Sequence, residues 1–126
     1  MSYKLYFVTD KSVFENFILL TSSLKELFDD TMILFNDEGM KIHRETEQYF
    51  VLSASWDKQI ISNDYYCPNA IKIQLSISNL YDNLINLNKN PNANYFIWFI
   101  PENQDDVLEI HLSETKPTTI PNMQIP

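Results

Sequence analysis

The chain predicts an α+β fold: an antiparallel sheet with two helices packed on one face. Three observations predict it. Residues 75–89 (LSISNLYDNLINLNK) carry Ile77, Leu80, Leu84 and Leu87 at spacings of three and four, the apolar stripe of an amphipathic helix. Residues 71–77 alternate Ile71, Ile73, Leu75 and Ile77 with Lys72, Gln74 and Ser76, the period of a half-buried strand. Elsewhere short β-branched and aromatic runs are separated by turn residues, and only one other stretch has helical spacing.

Taken in order, residues 3–9 read as a strand rich in aromatic and branched side chains. Ser12 and Glu15 have the spacing of a capping box, which predicts a helix from there to about residue 29. Its apolar stripe is Val13, Phe17, Leu20, Leu24 and Leu27. Its polar stripe is Lys11, Glu15, Ser22, Glu26 and Asp29, with Lys25 at the flank and Ile18 interrupting. Residues 32–35 form a short strand, and Asn36-Asp-Glu-Gly39 a turn in which Gly39 takes positive φ. Met40, Ile42 and residues 49–56 continue as strands, and a further strand begins at 65–67. Ser78 is the expected N-cap of the second helix. After the polar breaker 88–94, strands at 95–100 and 107–112 are joined by the acidic loop 101–106. Residues 1–115 are expected to form the domain. Residues 116–126, polar and spaced by proline, read as a linker or tail. No internal repeat of short period is visible.

The 126 residues suffice for one domain with its own core, and 44% apolar content favours a folded chain. A single Gly excludes glycine-rich phosphate loops, and a single Cys excludes an internal disulfide and fits a reducing, intracellular setting. No run reaches the roughly 18–20 apolar residues of a membrane span, and the N-terminus lacks signal-peptide architecture. A net charge of −8 is the wrong overall sign for gripping phosphate.

No catalytic constellation emerges. His43 and His111 have no second ligand at metal-binding spacing. Cys67, between Tyr66 and Pro68, reads as a buried structural thiol. The acidic pairs 29–30, 37–38 and 105–106 fall at turns, and Ser22-Ser23 has no histidine base in pattern. The chain is therefore expected not to be an enzyme, and to need no cofactor or metal. Trp56, Trp98, Tyr95, Phe96 and Phe99 read as core or half-buried strand residues.

Three stretches resemble the N-terminal domain of the DNA sliding clamp family, the proliferating cell nuclear antigen type. Residues 24–42 (LKELFDDTMILFNDEGMKI) resemble its helix, strand, glycine turn and strand. Residues 63–67 (NDYYC), 71–77 and 78–87 resemble its aromatic-x-Cys strand, alternating strand and second helix. Residues 95–100, the acidic loop and 107–114 resemble the closing hairpin, and Met123-Gln-Ile-Pro126 the end of its interdomain linker.

The resemblance implies a processivity factor domain, half of a subunit whose copies close into a ring around duplex DNA. It implies helices lining the hole, other clamp subunits paired edge to edge, and DNA polymerases and other replication proteins held through short peptides. It also implies work in the nucleus or wherever DNA is replicated. Lys25, Ser22, Asn79, Asn83, Asn86 and Lys89 would then face DNA. Tyr49, Phe50 and Leu52, with Ile120, Met123 and Ile125 of the tail, would form the peptide pocket. Val107, Glu109, His111 and Ser113 would form the subunit edge. Departures stand beside these matches: Glu15 and Asn16 replace a basic pair, Asp82 stands where the family has Lys, and Glu45 occupies an apolar pocket position. The row Asn79, Asn83 and Asn86 reads equally as a solvated face. The second reading is a clamp-fold regulatory or interaction protein, such as a transcription or checkpoint factor, that has lost DNA encirclement.

Overall fold

The computed structural model describes residues 2–45, 51–61, 64–103 and 107–117. Among them the element order is β1 (Tyr3–Asp10), α1 (Lys11–Leu24), β2 (Asp30–Asn36), β3 (Gly39–Glu45), β4 (Val51–Asp57), α2 (Lys58–Ile61), β5 (Ile71–Ser76), α3 (Ile77–Asn88), β6 (Tyr95–Pro101) and β7 (Glu109–Ser113). The α+β class holds. The strands form two antiparallel sheets, ordered β1-β6-β7 and β4-β3-β2-β5. Each sheet mixes early and late strands: β1 pairs with β6, and β2 with β5. The connectivity β-α-β-β therefore occurs twice, as β1-α1-β2-β3 and β5-α3-β6-β7, with the first strand of each unit lent to the other's sheet. This repeat lives in topology and leaves no repeat in sequence. In the first unit β4 covers the free edge of β3.

Both long helices begin where a strand ends, with no loop between. Asp10, still extended, accepts from the Val13 amide at 2.9 Å and caps α1. Ser76 accepts from the Asn79 amide at 3.3 Å and caps α3. The caps are thus two residues earlier than Ser12 and Ser78, because the strand's last residue already has the extended backbone that an N-cap needs. α1 also ends at Leu24 rather than near residue 29. Its buried face is Phe14, Phe17, Ile18, Thr21 and Leu24, whereas Leu27 is 62% exposed beyond the helix. Ile18 is therefore part of the core stripe, and Val13 and Leu20 are its half-buried flanks. Residues 65–67 form no strand. Tyr66 makes a single bridge to Tyr6, with both backbone N–H groups donating, at 2.9 and 2.8 Å. The last strand starts at Glu109, so Val107 lies before it.

The core is aromatic where the helix layer meets the first sheet. Leu5, Phe7 and Thr9 of β1 stand opposite Ile100, Trp98 and Phe96 of β6, all buried. Phe14 stacks on Phe96 with centroids 3.6 Å apart, and Trp98 meets Phe7, Phe14 and Phe17 at 5.3, 5.8 and 5.2 Å. The buried Trp98 indole N–H donates to Thr9 Oγ1 at 3.0 Å. In the second sheet Thr31, Ile33 and Phe35 alternate inward beside Ile42, Met40 and Ile73. Phe7 to Phe35 joins the two sheets, and Phe17 of α1 reaches Trp56 of β4.

The β2–β3 turn is locked from several sides. Asn36 Oδ1 accepts from the amides of Glu38 and Gly39, and the Tyr65 hydroxyl donates to the carbonyls of Asn36 and Gly39 at 2.8 and 2.9 Å. Gly39 has φ +147°, as the turn predicts, and a Cβ there would lie 2.0 Å from the Trp56 carbonyl oxygen. No side chain fits without moving β4.

Two outcomes follow from this packing. Thr9→Val should lower stability by about 1–3 kcal/mol in urea titration, because the buried indole N–H loses its acceptor, and Thr9→Ser should lose less. A wild-type midpoint for Thr9→Val would contradict it. Gly39→Ala should lower stability by about 2 kcal/mol or more, combining unfavourable φ with collision against backbone. An unchanged melting temperature would show that β4 yields freely.

Candidate functional site

α1 and α3 pack side by side and run antiparallel. Asn88 Nδ2 donates to Glu15 Oε2 at 3.3 Å near one end, and Lys25 Nζ lies 4.0 Å from the Tyr81 ring centroid near the other. The side of α1 away from the core carries Ser12, Glu15, Asn16, Leu19 and Ser23, with Leu19 67% exposed. α3 exposes Ser78, Asn79, Asp82, Asn83 and Asn86, followed by Lys89. On this layer and the segment closing α1, the lysines Lys11, Lys25 and Lys89 stand against the carboxylates Glu15, Glu26, Asp29 and Asp82. The layer is thus slightly acidic and rich in neutral donors.

The expected DNA-facing residues differ in exposure. Asn86 and Lys89 are exposed at the end of α3, while Ser22 and Lys25 are half-buried. Lys25 is held over Tyr81, a cation–π contact between the helices. Asn79 and Asn83, four residues apart, turn toward a groove of about 520 Å³ between α3, β5 and the segment leading into β7. Leu80, Leu87 and Val107 line the same groove, so the two amides rim an apolar cleft.

β7 is the outer strand of its sheet among the described residues. Glu109, His111 and Ser113 lie on it opposite Phe99, Ile97 and Tyr95, on the face away from α1. His111 Nε2 lies 3.3 Å from Glu109 Oε1. Tyr49, Phe50, Ile120, Met123 and Ile125 lie outside the described residues. Leu52 is placed by its backbone, opposite Arg44 in the β3–β4 ladder.

The described residues contain no group of His, Cys, Asp and Glu arranged for a metal, and no helix long and apolar enough to cross a membrane. Cys67 is buried and donates to the Asn69 carbonyl at 3.2 Å. Burial pushes its thiol up to about 11, and the carboxylate of Asp37 adds to this against a lowering contact from Tyr65. Burial likewise raises Tyr65 and Tyr6. A buried neutral thiol of this kind is a poor nucleophile. One concavity was not visible as a feature of the sequence. It lies on the outer face of the β1-β6-β7 sheet, where Tyr3 and Tyr6 of β1 come beside Phe99 of β6. Alternation along β6 puts Phe99 on that face, but the Tyr3 contact depends on a register shift in β1.

No protein-family model and no curated protein sequence matches the chain. Solved structures match it in fold. Proliferating cellular nuclear antigen from Entamoeba histolytica superimposes with a TM-score of 0.67 at 14% identity, covering 98% of this chain and 54% of that one. The antigen from Thermococcus kodakaraensis gives 0.66 at 13% identity, over 97% of this chain and 50% of that one. The DNA polymerase III beta chain from Streptococcus pneumoniae gives 0.57 at 9% identity, over 89% and 31%. The fold is of the sliding-clamp type. The chain spans about half the length of the two antigen chains.

The thiol yields a pH prediction. Folding holds Cys67 protonated up to about 11, above the ordinary value of 9.0. The folded state therefore binds more protons than the unfolded chain between those values. Its contribution is intact below about 9 and is lost as pH rises toward 11. Denaturation midpoints should fall across that window, and Cys67→Ala should flatten the fall. An identical slope in the variant would contradict a buried, raised thiol.

Proposed function

We propose that this chain is a clamp domain of a DNA polymerase processivity factor. It joins further clamp domains into a ring around duplex DNA and tethers replication or repair proteins there, in the nucleus or wherever the DNA is copied. The fold carries the reading: two antiparallel helices form one layer, and an outer strand without a neighbour among the described residues closes one sheet. Such a strand offers unpaired backbone groups to another chain. The same arrangement in solved replication clamps supports the assignment.

The mechanism is topological. A closed ring stays on DNA because it cannot come off, so it needs no tight grip. A slightly acidic layer of amides and hydroxyls suits sliding, since neutral donors contact phosphate directly or through water without large counterion release. Lys89 supplies an exposed cation at the end of α3, and Lys25 adds its charge from the helix seam. Partner peptides would dock on Tyr49, Phe50 and Leu52 together with Ile120, Met123 and Ile125, the residues that the family resemblance implies.

One observation favours a second reading. The helix layer carries more carboxylates than lysines, and a lysine at its seam is engaged by Tyr81. A clamp-fold interaction module that no longer surrounds DNA would have such a layer.

Retention on circular DNA separates the two. The full-length protein is loaded on a nicked plasmid in replication-competent extract, washed at high salt and then cut with a single-site nuclease. The ring reading predicts retention on the circle and release on linearisation. Loss from the circle at the salt wash would overturn encirclement and leave the interaction module.

A further inference from the structure

We propose that the concavity on the outer face of the β1-β6-β7 sheet is a docking site for an extended, arginine-bearing segment of a partner protein. The site lies on the sheet face opposite the helix layer and does not depend on the ring reading. It is an open groove of about 990 Å³, large enough for several residues of an extended chain. Its aromatic corner is formed by Tyr3, Tyr6 and Phe99. The Tyr3 ring lies 5.3 Å from Tyr6 at an interplanar angle of 50°, and 5.4 Å from Phe99 at 78°. Phe99 in turn meets the His111 ring edge-on at 5.0 Å. Tyr6 is 3% exposed and backs the corner, while Tyr3 and Phe99 are half-buried and present ring surface to the groove.

Two carboxylate side chains, Glu102 and Glu109, line the same groove together with His111, whose Nε2 lies 3.3 Å from Glu109 Oε1, and among the described residues neither Lys nor Arg lines it. The whole chain carries −8. Steeply angled aromatic rings beside carboxylates favour one class of ligand. A planar organic cation gains from the negative ring faces and from the carboxylates together. An anion would be repelled, and a neutral apolar ligand would desolvate the carboxylates without return. Arginine fits better than lysine, because its guanidinium both stacks on rings and pairs with a carboxylate through two parallel hydrogen bonds.

Two carboxylates on one groove point to two cations. Glu109 stands opposite Phe99, and Glu102 follows β6 in the turn after Pro101. Two arginines separated by two residues lie on one side of a polyproline II segment, so one segment of that kind presents both cations to the groove.

The test uses a fluorescein-labelled Ser-Arg-Ser-Ser-Arg-Ser peptide, titrated with the full chain and read by anisotropy. Saturable binding is expected. The pair Glu102→Gln with Glu109→Gln should weaken it about fivefold or more. Phe99→Leu, which removes the ring and no charge, should weaken it about threefold or more. The pair Glu26→Gln with Glu38→Gln, which changes net charge equally at distant exposed sites, should change it less than about twofold. Near-ultraviolet circular dichroism verifies that each variant is folded, and the glutamate pair carries the test if Phe99→Leu is not. Absence of binding, or equal weakening by the distant pair, would overturn the proposal.

Discussion

The indole of Trp98 is the constraint on which most of the structure depends. It is wedged among Phe7, Phe14 and Phe17, where its N–H cannot reach water, so an acceptor must be supplied from inside. Thr9 supplies it, across 89 positions of sequence. A buried donor without a partner would cost about 1–3 kcal/mol, a sizeable share of a small domain's stability. Meeting that need places β1 beside β6 and seats α1 on both. Once β1 is committed to the late sheet, β2 pairs with the late strand β5 instead. The interlocking of the two halves follows from the same pairing.

Much of this was legible in the residues, and the failures have physical causes. The alternation of Ile71, Ile73 and Leu75 marks β5 correctly, and Asn36 with Gly39 marks a turn that only glycine tolerates. The caps stand two residues before Ser12 and Ser78 because Asp10 and Ser76 are strand residues and cap residues at once. The Ser12–Glu15 spacing therefore competed with a true cap that no helix pattern flags. The buried stripe of α1 was offset because Thr21, polar by type, is buried with its hydroxyl donating to the Phe17 and Ile18 carbonyls. The division into two sheets was not readable, since it depends on pairings between strands far apart in sequence.

The candidate sites show the same split. The exposure of Asn79, Asn83, Asn86 and Lys89 follows from helical spacing alone. That Lys25 sits over Tyr81, and that Asn79 and Asn83 rim a groove, depends on how α3 packs against its neighbours. The outer-face aromatic corner needs a register shift in β1 that no residue type announces. The molecule thus presents three distinct surfaces: an amide-rich helix layer, an aromatic and acidic outer face, and a bare strand edge. The helix layer is nearly neutral and rich in amides, and the outer face carries Glu102 and Glu109 beside aromatic rings. The edge offers directional backbone hydrogen-bonding groups of the kind by which strands pair.

The bare edge of β7 is the feature on which the clamp account turns. Its counterpart β3 is covered by β4, whereas β7 has no such cover among the described residues. Residue-resolved amide hydrogen exchange along Glu109–Ser113 tests this most directly. The account predicts alternation in the isolated chain, with amides bonded to β6 protected and the outward amides exchanging quickly. It further predicts that the outward amides become protected when subunits assemble. Uniform protection of the strand in the isolated chain, or no change on assembly, would contradict it.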